Sequence, residues 1–206
     1  MSSEDVPVLE PYNPLDKIRI GQSIASALTE SDLQSFPLQP FIGAGVYAIY
    51  YCGDFPQYSD LSKMNTKHVF YPIYVGKAAP AGARKGGIIS TCTNGMSLFS
   101  RLNQHAQSLQ KAENLDINHF SCRFLAVDDI WIPLAESVLI ERYKPLWNHC
   151  LDGFGNHDPG KGRYNQKMSP WDLLHPGREW ARKLKPCAYS MDQILERIHN
   201  HFVKQK

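Results

Sequence analysis

Two tyrosines, an arginine and a histidine one helical turn apart, and a lone carboxylate have the types and spacing to do chemistry together. Tyr47 ends the triplet Gly45-Val46-Tyr47, and Tyr74 begins Tyr74-Val75-Gly76-Lys77. A phenol ordinarily titrates near about 10, and nearby cations such as Lys77 and Arg101 favour its anion, so a tyrosine here is a credible proton acceptor. Arg101 and His105 stand at i and i+4 and share one face of a helix. The arginine offers a permanent planar fork for phosphate oxygens, and the histidine can pass protons near neutrality. Glu136 lies among Leu134, Ala135 and Val138, where an unpaired carboxylate is costly. Binding Mg²⁺ would explain it, because that cation takes only one or two protein carboxylates and completes its shell with water and phosphate. Asn148 follows in Tyr143-Lys144-Pro145-Leu146-Trp147-Asn148. Each group also has a plainer reading. Tyrosines pack well in strands, an Arg–His face can simply be solvated, and a glutamate early in a helix suits the macrodipole.

The elements that must position these groups follow from periodicity. Gly45 to Tyr51 and Tyr71 to Lys77 are aromatic and β-branched and predict two strands. If they pair, alternation lets both tyrosines project from one face. Leu98 to Gln110 predicts a helix with Leu98, Leu102, Ala106 and Leu109 on its apolar stripe. Phe120 to Val127 alternates as a third strand. Pro133 to Tyr143 predicts a helix with proline in its first turn, stopped by Pro145. An N-terminal helix is expected over Ile20 to Leu33 and a closing helix over Met191 to Phe202. Residues 52–69 and 79–95 read as long loops, of the size that is usually functional or mobile. The expectation is an α/β (α+β) fold of one domain, with a three-stranded antiparallel sheet flanked by helices. Residues 1–40 form an N-terminal helical arm, 41–148 the core and 149–206 a C-terminal extension.

Composition sets the bounds. The chain has 206 residues, 43% hydrophobic and 20% charged, which suits one globular core. It shows no membrane-length apolar run and no signal-peptide pattern, so a cytoplasmic protein is expected. The five cysteines lack a C-x-x-C pair, which argues against a disulfide framework or zinc module. Asn148-His149-Cys150 with His157 downstream lacks the spacing of structural zinc. The net charge of +2 hides an asymmetry. Residues 1–40 carry two basic and six acidic side chains (−4), 41–148 ten and eight (+2), and 149–206 ten and six (+4). A basic side turned towards a polyanion would produce this pattern, as would ordinary scatter.

In order and spacing, Gly-Val-Tyr, Tyr-Val-Gly-Lys, Arg-x-x-x-His, a glutamate and Lys-Pro-x-x-Asn resemble the GIY-YIG nuclease superfamily over about residues 43–148. The resemblance implies a compact core that hydrolyses DNA phosphodiesters with one divalent metal, Mg²⁺. It implies Tyr47 and Tyr74 as the paired tyrosines, Arg101 as the phosphate binder, Glu136 as the metal ligand and Asn148 as a supporting residue. His105 falls at a position that is not always histidine, and both loops after the tyrosine strands are longer than in minimal members. The stretches Gly153–Arg163 and Ser169–Arg178 look like the C-terminal part of GIY-YIG type II restriction endonucleases. That branch implies a bacterial cytoplasmic enzyme, a homodimer on double-stranded DNA and a methyltransferase as functional partner.

On that footing Tyr47, as phenolate or through His105, takes the proton of the attacking water, while Tyr74 and Lys77 orient water and phosphate. Recognition falls to the flanks, where Arg84, Lys85, Lys161, Arg163, Lys167, Arg178 and Arg182 lie. Arginine and lysine read guanine edges best, so a GC-rich palindrome is expected, CCGCGG being one that similar enzymes cut. A twofold dimer lets one site per chain cut both strands, and the acidic N-terminal helix could supply its contacts. Two other readings compete: a repair or homing nicking nuclease of the same superfamily, and a DNA-binding module with a silent site.

Overall fold

The glycine-bounded aromatic run becomes β2 (Gly45–Tyr51), the central strand of the sheet and buried on both faces. The computed structural model describes residues 16–80 and 95–204. Around β2 the chain forms α1 (Lys17–Glu30), β1 (Gln34–Ser35), α2 (Ser59–Met64), β3 (Pro72–Ala78), α3 (Ser97–Lys111) and β4 (Phe120–Ala126). It continues as α4 (Ile132–Tyr143), α5 (Leu146–His149), α6 (Pro170–Leu174) and α7 (Met191–Val203). The strand order is β1-β4-β2-β3, with every pair antiparallel. The fold is therefore α+β. The three expected strands are joined by the two-residue β1 at the β4 edge.

Alternation along β2 divides the interior into two layers. Tyr47, Ile49 and Tyr51 face a large core with Leu98, Leu102 and Leu109 of α3, Trp147, Phe154, Trp171 and the α7 residues Ile194, Ile198 and Phe202. Val46, Ala48 and Tyr50 face a smaller core with Ala25 and Leu28 of α1 and Ile132, Ala135 and Leu139 of α4. Burial of each large apolar side chain contributes about 1.5–3 kcal/mol relative to exposure. A strand clamped this way cannot slip by one residue without exchanging both layers.

Local chemistry sets several boundaries. The Asp16 carboxylate accepts from the Ile18 amide at 2.7 Å, so α1 starts earlier than its apolar spacing suggests and ends at Glu30, short of Leu33. Lys144 adopts the left-handed conformation (φ 42°) and ends α4 just before Pro145. The expected loop 52–69 contains a 3-10 turn (Pro56–Tyr58) and α2, because Tyr58 and Leu61 drop into the large core. Tyr58 belongs to a directed chain of hydrogen bonds. Trp147 Nε1 donates to its hydroxyl at 3.0 Å, that hydroxyl donates to Nε2 of His175 at 2.6 Å, and His175 Nδ1 donates to Asn114 Oδ1 at 2.8 Å. Among the described residues no helix is long and apolar enough to cross a membrane.

Candidate active site

The antiparallel register brings the two tyrosines together. Tyr47 pairs with Gly76 and Ile49 with Tyr74, so Tyr47 and Tyr74 are diagonal neighbours on the large-core face, their ring centroids 6.3 Å apart. A Cβ on Gly76 would collide with the Tyr47 hydroxyl, so the glycine opens the space in which the phenol lies. Helix α3 crosses the same face. His105 is buried beneath both rings, its centroid 5.4 Å from that of Tyr47 and 5.2 Å from that of Tyr74. The Tyr47 hydroxyl lies 2.7 Å from His105 Nε2.

Burial governs the protonation of this pair. Desolvation pushes the Tyr47 phenol well above its usual value, and the neighbouring Tyr74 and Glu136 add to the rise against the opposing pull of Arg101. Desolvation also raises Tyr74, again opposed by Arg101. His105 is held well below the ordinary histidine value by burial and by the Arg101 charge. At rest both partners are therefore neutral, a phenol beside an imidazole. This corrects the expectation that cations stabilise a resting phenolate, since desolvation outweighs them. Lys77 is also differently placed. Its register partner is Val46, so it leaves the sheet on the α4 side and pairs with Glu136 at 2.6 Å.

Arg101 stands one turn before His105 and beside both tyrosines. Its Nη1 meets Gln104 Oε1 at 3.3 Å and Nε2 of His157, and its Nη2 donates to the Gly155 carbonyl at 3.0 Å. Together with Ala78, Ala79, Gly95, Met96, Ser97, Ser100 and Gln104 it lines an open cleft of about 430 Å³. Asn148 does not face that cleft. Its amide clamps the backbone of β3, accepting from Val75 N and donating to Val75 O, both at 2.8 Å. It thus anchors the strand next to Tyr74. Tyr47, Tyr74, Arg101, His105 and Glu136 are brought together, with Lys77 on Glu136 and Asn148 behind the strand.

Three members of the site were missed by sequence reasoning. Phe154 stacks on His105 (centroids 4.5 Å, planes 17° apart). Gly155 lies where a Cβ would stand 2.8 Å from the Tyr74 hydroxyl and 3.1 Å from Arg101 Nη2, and His157 touches Arg101. The one available signal was the Gly-Phe-Gly-Asn-His run itself, a concentration of backbone-permissive and aromatic residues. Arg178, expected on a DNA-facing surface, is instead 2% exposed. Its Nε donates to Asp172 at 2.6 Å, and its Nη groups donate to the carbonyls of Gly153, Phe154 and Asn156 at 2.9–3.1 Å. A guanidinium engaged in this way has no fork left for a base or phosphate. Lys161, Arg163, Lys167 and Arg182 are exposed, although Arg182 donates to Glu113 at 2.6 Å. Arg84 and Lys85 lie outside the described residues.

A family model described as the Eco29kI GIY-YIG domain matches residues 39–202. The chain belongs to this family. The Eco29kI-type GIY-YIG match runs from the loop before β2 into α7, so the segment carrying Phe154, Gly155 and His157 lies inside the family unit. A search of curated proteins returns no match. Membership in a GIY-YIG restriction endonuclease family makes this a nuclease domain, whose chemistry is hydrolysis of DNA phosphodiesters and whose partner is DNA. The Glu136 carboxylate suits a hard divalent cation, because its oxygens are the charged donors on the α4 side of the site and one of them already engages a cation, Lys77 Nζ. Among the described residues no three His, Cys, Asp or Glu side chains cluster to hold a metal. A hard divalent cation can be held by as few as one or two protein carboxylates, with water and phosphate completing its shell.

Proposed function

We propose that this protein is a type II restriction endonuclease, a cytoplasmic bacterial enzyme that cuts both strands of a palindromic, GC-rich DNA site with Mg²⁺. The observation that carries the reading is the buried Tyr47–His105 contact, set beside Arg101, which lines the open cleft. Hydrolysis needs an activated water, neutralised charge at phosphorus and a stabilised leaving oxygen. In the proposed step water attacks phosphorus, the P–O3′ bond breaks, and the water proton passes to the Tyr47 oxygen as Tyr47 gives its own proton to His105 Nε2, while the departing 3′ oxygen takes a proton from solvent. Arg101 holds the non-bridging oxygens, and Tyr74 orients the water. Glu136 would hold Mg²⁺, which would supply charge neutralisation for the phosphate and the leaving oxygen. Lys77 must then release Glu136, and is left free to meet phosphate.

DNA recognition is assigned to the exposed cations of the extension. Lys161, Arg163 and Lys167 lie there, and a parallel bridge sets Lys167 beside Lys185. With Lys183 they make a basic ribbon suited to a phosphate backbone. Arg84 and Lys85 belong to the same proposal. One active site per chain and a palindromic target together call for a twofold homodimer, and a self-cutting enzyme calls for a methyltransferase that protects host DNA.

Incubating purified protein with plasmid DNA and Mg²⁺, and sequencing the ends, tests this reading. Double-strand ends at one repeated palindrome are expected. Nicks in one strand would favour a repair or homing-type enzyme. Glu136→Gln should bind DNA without cutting it, and full cleavage by that variant would overturn the metal assignment.

A further inference from the structure

The chain between α5 and α6 turns back into the site, and a buried ion pair holds it there. Arg178 pairs with Asp172 and donates to three carbonyls of residues 153–156, while its guanidinium stacks on Trp171 at 4.4 Å and Trp180 at 4.8 Å. Every polar arm of Arg178 is thus spent on shaping this loop. The loop in turn presents two acceptors to Arg101, the Gly155 carbonyl and the ring Nε2 of His157. A carbonyl on Nη2 and an imidazole on Nη1 define the plane of a guanidinium, as two pins fix a plate.

We propose that His157 is a positioning residue for Arg101, its Nε2 and the Gly155 carbonyl together fixing the fork so that the remaining N–H groups point at the scissile phosphate. The inference rests on the nuclease reading of the site. It follows from geometry that a long arginine side chain lining a cleft loses rotamer freedom when pinned, so less is lost when phosphate arrives. His157 is exposed, so its replacement spares the core.

The identity of the contacting atom supplies the test. Glutamine places its amide oxygen about where Nε2 stands, whereas asparagine stops short near Nδ1. His157→Ala should lower kcat by about 10- to 100-fold, with a smaller change in KM for DNA. His157→Gln should restore most of that loss, and His157→Asn should resemble the alanine variant. Unchanged kcat in His157→Ala would overturn the proposal. So would tighter DNA binding with an equal or faster rate, which would mark His157 as a competitor of phosphate. A readout independent of cleavage is the His157 ring titration by NMR. Burial and the Arg101 charge hold it below the ordinary histidine value, so Arg101→Gln should move it upward, and no movement would remove the contact. A wild type that binds DNA but never cuts it would count against the nuclease reading, while the titration still decides the contact.

Discussion

The Tyr47 hydroxyl and His105 Nε2 lie 2.7 Å apart in a site where burial pushes the phenol up and the imidazole down. The two shifts point the same way, since both leave the proton on the oxygen at rest. On the proposed mechanism Tyr47 does not wait as an anion but becomes one only as the imidazole takes its proton, with Arg101 and a bound phosphate in place. Tyr47→Phe keeps the ring and its packing but removes the relay. Cleavage should fall by about 100- to 10,000-fold with little change in thermal midpoint, measured as single-turnover cleavage beside a melting curve.

Gly155→Ala separates site geometry from folding. The added methyl would stand 2.8 Å from the Tyr74 hydroxyl and 3.1 Å from Arg101 Nη2, both parts of the site. Activity should drop while the urea midpoint stays near that of the wild type. Equal loss in both measurements would mean that the loop serves stability alone.

The Asp172–Arg178 pair, nearly inaccessible to solvent on both sides, makes a prediction about stability. Arg178→Met leaves a carboxylate buried without its partner, and such a change costs about 3–5 kcal/mol. Urea denaturation should register it. Restored stability in the double variant Arg178→Met/Asp172→Leu would show that the unpaired charge, not the lost packing, was the cause.

Acid should unfold the protein through its buried histidines. Desolvation and the Arg178 charge hold His175 down at about 3. The unfolded chain would take up that proton near about 6.5, so it binds more protons than the native state between those values. Stability is therefore intact above the unfolded value and falls as pH drops through the window, by about 1.4 kcal/mol per pH unit from this one group. Protonation would also place a second donor against the Tyr58 hydroxyl, which His175 Nε2 accepts from. Melting curves from pH 7 to 4 should show the decline, and His175→Gln should flatten it.

Asn148 offers a further check. Asn148→Asp loses the donor to Val75 O and sets a carboxylate against that carbonyl, which costs about 1–3 kcal/mol. Because β3 carries Tyr74, activity should fall more than stability, whereas an unaltered rate would make the clamp purely structural.

Much of the sheet was legible in the sequence because its signals are local. Glycines bound the aromatic run that becomes β2, and α3 carries its leucine stripe in view, so Tyr47, Tyr74, Arg101 and His105 could be brought together on paper. Arg178 was misjudged because a cation in a Gly- and Pro-rich stretch resembles surface, whereas its partner Asp172 and the two tryptophans it stacks on become neighbours only in the fold. The place of Lys77 was hidden by the register. Facing Val46 rather than Tyr47, it emerges on the α4 side, which no local pattern reveals. The stretch 153–157 stood out in the sequence, but its place in the site did not, because that place depends on Arg178.

The large core draws on side chains from Phe36 to Phe202, and Arg101 is pinned by residues that follow it by more than half a hundred positions along the chain. During synthesis both tyrosines and the arginine emerge from the ribosome well before the segments that enclose and orient them. An interrupted or prematurely released chain would hold the reactive groups but neither the closed core nor the pinned arginine. The order of residues thus leaves the large core incomplete until α7 has been made.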